Sequence, residues 1–265
     1  MQSSEPVRAA ILREALHHAG AVALEHWSAA LAVQTKADGT PVTAADLAAE
    51  AVLVQALSDS FPGDAIVTEE SGGLRGEGAW WAVDPIDGTS SYVEGLAHWG
   101  PTVARMVWRE GRLTVDCGGL YLPRLAELYH FEAGPDGGAW FNGRPMTPFA
   151  ERTAPKTVYL PSKFHRHFRL RYPGKSRCIG GSAAHLALVA RGAAEAAIVA
   201  PGWSLWDTAL GLALIAGLGG RVASLQSGAP FDPFAHEGEP FVAGTPEAVA
   251  ALTRPEAITP LSEEA

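Results

Sequence analysis

Two short apolar runs, each followed at once by acidic residues, constrain the fold of this chain more than any other feature. Residues 65–67 (AIV) precede two glutamates, and residues 80–83 (WWAV) precede two aspartates. These acids are Glu69, Glu70, Asp84 and Asp87. Each run is too short for a helix and is therefore predicted to be a buried strand. The sequence thus predicts carboxylates at the ends of neighbouring strands.

The segment 81–88 (WAVDPIDG) separates its two aspartates by a proline. The fixed φ of proline favours a turn in which both carboxylates and the carbonyl of Ile86 converge on one point. Such oxygen ligands suit Mg²⁺, which prefers one or two carboxylates together with water and phosphate. A turn with solvated acids is the alternative, because Asp and Pro are common turn formers.

Two further segments bear on this interpretation. Gly88 and Thr89 can begin a short helix, whose free N–H groups would favour an anion beside the cation. Trp206 and Asp207 stand at the start of an apolar helix, where Asp207 is either a helix cap or a further ligand. If Asp207 joined the other acids without a cation, mutual repulsion would raise their pKa values.

Helical periodicity predicts two helices ahead of these strands. Ser3 or Ser4 caps the first, and Thr43 with Asp46 has the spacing of a capping box at the start of the second. Beyond the acids, an antiparallel meander is predicted from strands at 102–108, 113–117 and 127–131. A turn at 110–111 and the Asn-Gly pair at 142–143 support it.

After a boundary near Pro148, predicted strands and helices alternate. The strands are 157–160, 196–199, 221–224 and one at Phe241, and the helices are 182–190, 206–217 and one from Pro246. We therefore divide the chain into an N-terminal α+β part, residues 1–148, and a C-terminal α/β part, residues 149–265. No long linker separates them.

Composition and charge exclude several classes of protein. The chain has 265 residues, of which 47% are hydrophobic and 18% charged, so a packed core is expected and whole-chain disorder is not. A net charge of −9 argues against nucleic-acid binding. Cys117 and Cys178 have no metal-site spacing, and we expect buried thiols in a cytoplasmic protein. No run approaches the roughly 20 apolar residues of a membrane span.

Five segments together resemble the inositol monophosphatase family, part of the fructose-bisphosphatase-like superfamily of Mg²⁺-dependent, lithium-sensitive phosphatases. They are 36–50 (KADGTPVTAADLAAE), 68–71 (TEES), 81–89 (WAVDPIDGT), 181–184 (GSAA) and 206–220 (WDTALGLALIAGLGG). Their order and spacing fit the family over most of the chain. The resemblance implies a layered αβαβα sandwich that forms homodimers, with the site between the two parts.

The resemblance also implies roles for individual residues. It implies oxygen ligands for two or three Mg²⁺ ions from Glu69, Asp84, the Ile86 carbonyl, Asp87 and Asp207. It implies that Glu70 and Thr89 position a nucleophilic water, with Asp46 hydrogen-bonded to Thr89. The residues implied in substrate binding are Gly88, Thr89, Gly181, Ser182, Ala183 and Ala200.

The chain departs from the family pattern at three positions. Thr68 stands in place of a glycine, and Gly217 in place of a glutamate. Ala200 stands where family members selective for inositol phosphate place a glutamate that accepts hydroxyl hydrogen bonds. An unpaired hydroxyl costs about 1 to 3 kcal/mol, so inositol phosphate is not the expected main substrate.

The basic segment, residues 163–177 (KFHRHFRLRYPGKSR), contains six Lys or Arg, two His and no acid. It fits a solvated face or dimer rim, a clamp for a second phosphate or nucleotide, or a surface for a polyanion. The expected function is Mg²⁺-dependent hydrolysis of a small phosphate monoester, such as an inositol-like phosphate, a sugar phosphate or histidinol phosphate. The alternatives are a nucleotide 3′-phosphatase acting on 3′-phosphoadenosine 5′-phosphate, and a non-catalytic regulatory protein that binds a partner through the basic segment.

Overall fold

The computed structural model describes residues 7–27, 33–35 and 41–261. Two sheets alternate with three layers of helices, which confirms the predicted αβαβα sandwich. The expected cap at Ser3 or Ser4 lies outside the described residues, as do residues 36–40 of the first matching segment.

Two helices form the first layer. They are α1 (Val7–His26) and α2 (Ala44–Ser60), and the short strands β1 (Val33–Thr35) and β2 (Pro41–Thr43) precede α2. The predicted capping box of α2 is confirmed, because the Thr43 backbone N–H donates to Asp46 Oδ2 at 2.7 Å and the Thr43 hydroxyl accepts from Ala45. The buried faces of both helices pack against Trp81 and Val83 of the adjoining sheet.

The second layer is a sheet of seven strands in chain order, β3 to β9, in which only the first pair is parallel. Left-handed conformations at residues 110–111 and 142–143 make the predicted hairpin turns, with φ of 52° at Glu110 and 47° at Asn142. The strands are β3 (Ala65–Thr68), β4 (Trp80–Asp87), β5 (Gly100–Arg109), β6 (Arg112–Leu122), β7 (Glu127–Glu132), β8 (Gly138–Phe141) and β9 (Arg144–Pro145).

The acidic segment differs from its prediction in one respect. β4 does not end at Val83 but continues through Asp87, and its pairing with β5 shifts register between Asp84 and Asp87. Pro85 lacks an N–H and cannot continue a regular ladder, so the strand bulges there. Both aspartates therefore lie on an irregular stretch of a central strand.

The remaining layers come from the second part of the chain. Helices α5 and α6 lie between the two sheets, and α7 covers the far face of a five-stranded sheet with the order β12-β10-β13-β15-β14. The elements are α3 (Thr89–Val93), a 3-10 helix (Phe149–Glu151), β10 (Thr157–Tyr159), α4 (Phe164–His167), β11 (Phe168–Leu170), β12 (Lys175–Arg177), α5 (Ser182–Arg191), β13 (Ala196–Val199), α6 (Leu205–Gly217), β14 (Arg221–Ser224), β15 (Phe241–Gly244), α7 (Pro246–Leu252) and β16 (Ile258–Pro260).

Helix α6 explains why the two parts pack together. It is apolar over most of its circumference, as expected of a helix covered on both sides, and it contacts strands of both sheets. One apolar cluster accordingly runs from Trp80 in the first sheet to Phe241 in the second. The boundary at residue 148 falls in the connection between the sheets and stays a prediction.

Several small elements are absent from the sequence prediction: β1, β2, the 3-10 helix, α4, β11, β12 and β16. Pro41, expected in a loop, begins β2. β11 pairs with β16 over Phe168–Leu170 and Ile258–Pro260, far apart in sequence. Cys117 is buried as expected, whereas the prediction of a buried Cys178 is wrong, because Cys178 lies exposed just after β12 on a sheet edge. Among the described residues, no helix combines the length and apolarity that crossing a bilayer requires.

A cluster of arginines and acids lies on the first sheet, and we call it the arginine-paired cluster. The buried Asp116 accepts hydrogen bonds from three arginines, and Arg105 also donates to Asp64 at 2.7 Å. Burial alone would raise the pKa of Asp116, but the Arg105 hydrogen bond and the positive charge of Arg8 hold it below its ordinary value. The members are Arg8, Asp64, Arg105, Arg109, Asp116 and Glu132.

Candidate active site

Three carboxylates from distant parts of the chain meet where the two parts adjoin, and we call them the aspartate cluster. Each of Asp84, Asp87 and Asp207 offers an oxygen within 4.8 Å of the others. Asp84 and Asp87 are almost completely buried, with 2% and 3% of their surface exposed. The structure thus brings together acids that the sequence separates by more than a hundred positions.

The bulge in β4 orients the first two aspartates. Asp84 Oδ1 accepts the backbone N–H of Ile86 at 2.8 Å, which closes the turn around Pro85. Asp87 accepts the N–H groups of Ala183 and Ala184 at 3.2 and 3.1 Å, so that its carboxylate caps α5 from the other part of the chain.

Glycine is required at the junction between these two segments. A Cβ at Gly181 would lie 2.3 Å from the Asp87 carboxylate, and one at Gly88 would lie 3.0 Å from the Gly181 nitrogen. Gly88 also has a φ of +85° and begins α3, as the sequence indicated. The close approach of the two backbones therefore depends on both glycines.

Asp207 occupies the third position of α6. Its Oδ2 accepts the Ser204 backbone N–H at 2.6 Å in a capping box, which leaves Oδ1 outside that bond. Glu237 supports the same helix end, because its Oε1 accepts the Leu205 N–H at 2.9 Å and its Oε2 pairs with Arg75 at 2.5 Å. Asp207 is thus both a helix cap and a member of the aspartate cluster.

Burial and mutual repulsion make the aspartate cluster unfavourable as three anions. Burial, reinforced by the charges of Glu69 and Asp87, raises the pKa of Asp84 well above its ordinary value. Burial raises the pKa of Asp87 to about 7 against the opposing helix N–H groups, and that of Asp207 to about 8. No lysine or arginine lines this cavity among the described residues. A divalent cation would compensate the missing charge.

Glu69 lines the same cavity, and its side chain hydrogen-bonds to Asp84. Glu70 is half-buried and is not among the described residues that line the cavity. Its backbone N–H donates to Glu50 Oε2 at 3.1 Å. Buried Glu50 also accepts the Ser71 hydroxyl, so α2 holds the turn that follows the two glutamates.

The Thr89 hydroxyl faces two acceptors, Asp46 Oδ1 at 3.3 Å and the Ile86 carbonyl oxygen at 3.2 Å. Asp46 is buried and is held by the capping box of α2. Burial raises the pKa of its carboxyl group, against the hydrogen bonds from Thr43. This contact joins α2 to the segment that carries the aspartates.

The cavity above the aspartate cluster measures about 330 Å³, and we call it the site cavity. Of the residues implied in substrate binding, it is lined by Gly88, Thr89, Gly181, Ser182 and Ala200. Ala183 is buried outside this lining, and its N–H is already bonded to Asp87. Its contribution is therefore to hold Asp87.

The donors in the site cavity fit a hard cation. Among the described lining residues they are carboxylate, carbonyl and hydroxyl oxygens, together with the imidazole of His185. His185 Nε2 accepts the Ile179 N–H at 3.2 Å, and the ring stacks on Tyr159. Burial lowers the pKa of His185 to about 4, so the ring is neutral near pH 7. The oxygen-rich set matches the preference of Mg²⁺ rather than Zn²⁺.

Sequence reasoning missed four residues that shape the site: Glu50, His185, Trp203 and Glu237. Glu50 ends a matching segment, and His185 follows the GSAA motif directly, so both had a local signal. Trp203 and Glu237 act through contacts with distant loops, including the indole N–H bond to the Glu239 carbonyl at 2.7 Å. No pattern in the sequence indicates those contacts.

The sequence of this chain is similar to those of several known proteins. The model of the inositol monophosphatase family matches residues 4–258. A histidinol-phosphatase of Chlorobaculum parvum is 35% identical over 78% of this chain and 82% of its own length. An inositol-1-monophosphatase of Mesorhizobium japonicum is 32% identical over 75% and 77%. The Nus factor SuhB of Escherichia coli is 30% identical over 80% of both chains.

Solved structures agree on the fold. The extragenic suppressor protein suhB of Bartonella henselae superposes with a TM-score of 0.79 at 23% identity, covering 94% of this chain and 98% of its own. An inositol monophosphatase from Anabaena gives 0.72 at 26% identity, covering 92% and 93%.

Proposed function

Because the chain belongs to the inositol monophosphatase family and is a phosphoric monoester hydrolase, we propose that it hydrolyses a small phosphate monoester with Mg²⁺ held by the aspartate cluster. The observation that carries this proposal is the convergence of three carboxylates, two of them buried, in a cavity whose described lining residues include no arginine or lysine. An uncompensated cluster of this kind destabilises the fold unless a cation binds.

The proposed ligands are the oxygens of Glu69, Asp84, Asp87 and Asp207 together with the Ile86 carbonyl, for two or three ions. Bound Mg²⁺ would supply Lewis-acid activation of a water and charge compensation for the phosphoryl oxygens. Two of these proposed ligands are held by helix ends. The N–H groups of α5 hold Asp87, and the capping box of α6 holds Asp207. These bonds position the carboxylates before substrate arrives.

Thr89, Asp46 and Glu70 are the proposed positioning groups for the attacking water. The Thr89 hydroxyl can donate its proton to either Asp46 Oδ1 at 3.3 Å or the Ile86 carbonyl oxygen at 3.2 Å. In the proposed hydrolysis the water oxygen bonds to phosphorus while the bond between phosphorus and the alcohol oxygen breaks. One proton of the water goes to the departing alcohol, and the other stays on the phosphate. The substrate contacts proposed in the cavity are those of Gly88, Gly181, Ser182 and Ala200, with Ala183 acting through Asp87.

A second candidate is a regulatory role in which the basic segment contacts a partner. All six of its Lys and Arg side chains are exposed, while Phe164 is buried. One relative carries the name Nus factor, which is not the name of an enzyme. Since no lysine or arginine of the described chain lines the site cavity, a nucleotide bisphosphate finds no cationic clamp there.

We also propose a homodimer, sensitivity to lithium and a cytoplasmic location. Two free cysteines agree with a reducing compartment. Light scattering measures the mass of the proposed dimer, and inhibition of phosphate release by LiCl measures the sensitivity to lithium.

The proposed function is tested by phosphate release with and without Mg²⁺ from a panel of esters. The panel contains p-nitrophenyl, glucose 6-, histidinol and inositol 1-phosphates and 3′-phosphoadenosine 5′-phosphate. We expect Mg²⁺-dependent hydrolysis of at least one ester and loss of about a hundredfold or more in kcat/KM for Asp207→Asn.

Asp136→Asn is the matched control, because Asp136 is exposed in a turn outside both clusters. It should retain full activity. The proposal is wrong if the folded wild-type protein releases no phosphate from any ester at saturating Mg²⁺, or if Asp207→Asn is as active as Asp136→Asn.

A further inference from the structure

A second cavity adjoins the site cavity, and we call it the side cavity. It measures about 760 Å³, within the range of small-molecule sites. Four residues, Pro161, Ile198, Ala200 and Pro201, line both cavities. The two spaces therefore meet at the ends of β10 and β13, next to the aspartate cluster.

The wall of the side cavity is apolar. It is built from Phe164 of α4, Phe168 of β11, Leu225 after β14, and Ile258 of β16, with Pro240 and Pro260. Phe168, Leu225 and Ile258 also pack against the core of the second part, which holds the wall in place. Among the described lining residues, the titratable side chains are Lys163 and His167, both exposed.

The shared residues place a methyl group and two proline rings at the junction between the cavities. Ala200 offers no side-chain hydrogen-bond partner, so a polyol hydroxyl in contact with its side chain is left unpaired there. An apolar group at the same place gives up no hydrogen bond when it leaves water. The lining thus changes from carboxylates in the site cavity to mainly apolar side chains in the side cavity.

We propose that the side cavity binds the apolar part of the substrate's leaving group. The substrate is then the phosphate monoester of an alcohol with an alkyl or aryl body and no positive charge at its far end. The inference rests on the proposed function, because the phosphoryl group has to sit at the aspartate cluster for the leaving group to enter the side cavity.

A homologous series of alkyl phosphates from propyl to hexyl measures this binding. The acidity of the alcohol is nearly constant in the series, so differences in kcat/KM report contacts of the chain. Each methylene buried in the transition state should raise kcat/KM about fourfold, equivalent to about 0.8 kcal/mol. We also expect 6-aminohexyl phosphate to be a poorer substrate than hexyl phosphate, because its ammonium would face apolar side chains, Lys163 and His167.

Leu225→Asp places a carboxylate in the wall, away from the aspartate cluster. It should flatten the dependence on chain length and lower kcat/KM for hexyl phosphate far more than for methyl phosphate. Leu125→Asp is the matched control, because Leu125 lies in an exposed turn between β6 and β7 and outside both cavities. The control should retain the fourfold steps.

The wild-type series requires no variant and decides the proposal even where Leu225→Asp fails to fold. A flat wild-type series, or equal rates for hexyl and 6-aminohexyl phosphate, overturns the inference while leaving a phosphatase. If light scattering instead shows that Leu225→Asp converts a dimer to monomers while the fourfold rise in kcat/KM per methylene is retained, that result overturns the inference and indicates that a second copy covers the cavity. Failure of the proposed function looks different, since no ester, including methyl phosphate, is then hydrolysed with Mg²⁺.

Discussion

The protein contains two clusters of carboxylates, which differ in their charged partners and in the direction of their pKa shifts. In the arginine-paired cluster, Asp116 accepts from three arginines, and its pKa lies below the ordinary value. In the aspartate cluster, Asp84 lies beside Asp87, Asp207 and Glu69, and burial raises its pKa well above the ordinary value. The two clusters lie on the same sheet, Asp116 on β6 and Asp84 on β4.

The difference teaches where compensating charge comes from. At Asp116 the chain supplies the cations, and the result is structural. At Asp84 the described cavity lining contains no lysine or arginine, and the neighbouring charges are the carboxylates of Glu69, Asp87 and Asp207. Buried acids among other acids are therefore the stronger candidates for function, whereas burial of an acid is not by itself an indication of function.

The largest effect should follow from neutralising the centre of the aspartate cluster. Asp84→Asn keeps the size of the side chain and its acceptor for Ile86, but removes one negative charge. We expect kcat/KM to fall by at least about a hundredfold. In EDTA the free energy of unfolding should not fall, because the neutral amide has no charge to bury beside Asp87 and Glu69. Steady-state kinetics measure kcat/KM, and urea denaturation measures the free energy of unfolding. A large loss of stability would contradict the distinction between the aspartate cluster and the arginine-paired cluster.

The equivalent change in the arginine-paired cluster should lower stability and leave activity unchanged. Asp116→Asn leaves Arg105 and two partly exposed arginines without their shared anion. We expect the free energy of unfolding to fall by about 2 kcal/mol, less than for a fully buried pair because solvent screens Arg8 and Arg109. Mg²⁺-dependent activity below the melting temperature should be unchanged. Urea denaturation at pH 7 measures the loss, with Asp136→Asn as control.

The smallest effect is a pH dependence of stabilisation by Mg²⁺. The folded protein retains protons on Asp87 and Asp207 up to pH values of about 7 and 8, whereas the unfolded chain loses them near the ordinary value of 3.8. Without a divalent cation, stability therefore falls as pH rises from about 4 to 8. Because Mg²⁺ needs the ionised carboxylates, its stabilisation should be greater at pH 8 than at pH 5.5.

We expect this difference to be a few degrees in Tm, or about 1 kcal/mol. Calorimetry in Mg²⁺ and in EDTA at both pH values measures it. Asp84→Asn should reduce the effect, and Asp116→Asn should leave it in place. A Mg²⁺ shift of equal size at both pH values would contradict the assignment of the cation to these carboxylates.

Local features were predictable from the sequence, because short-range chemistry determines them. The capping box of Thr43 and Asp46 needs only residues three apart, and the turn at Asn142 needs only a pair that tolerates positive φ. The meeting of Asp84 with Asp207 was inferred from family resemblance, since spacing alone left Asp207 open as a simple cap. The structure places it in both positions.

Features that depend on distant pairings were not predictable in this way. The side cavity requires β11 to pair with β16, two three-residue strands from opposite ends of the second part. The end of β4 was placed too early, because proline and two acids normally indicate a turn. Here the neighbouring β5 pairs on either side of a bulge and extends the strand.

The contact between Asp87 and helix α5 has a consequence for exchanging parts between related proteins. One half of the chain contributes the acid, and the other contributes Gly181 and the two N–H groups that hold it. A chimera that joins residues 1–148 to the second half of a relative has to inherit a glycine at this seam. With alanine there, the added methyl would push the Asp87 carboxylate aside, and a well-folded hybrid would lack the geometry of the aspartate cluster.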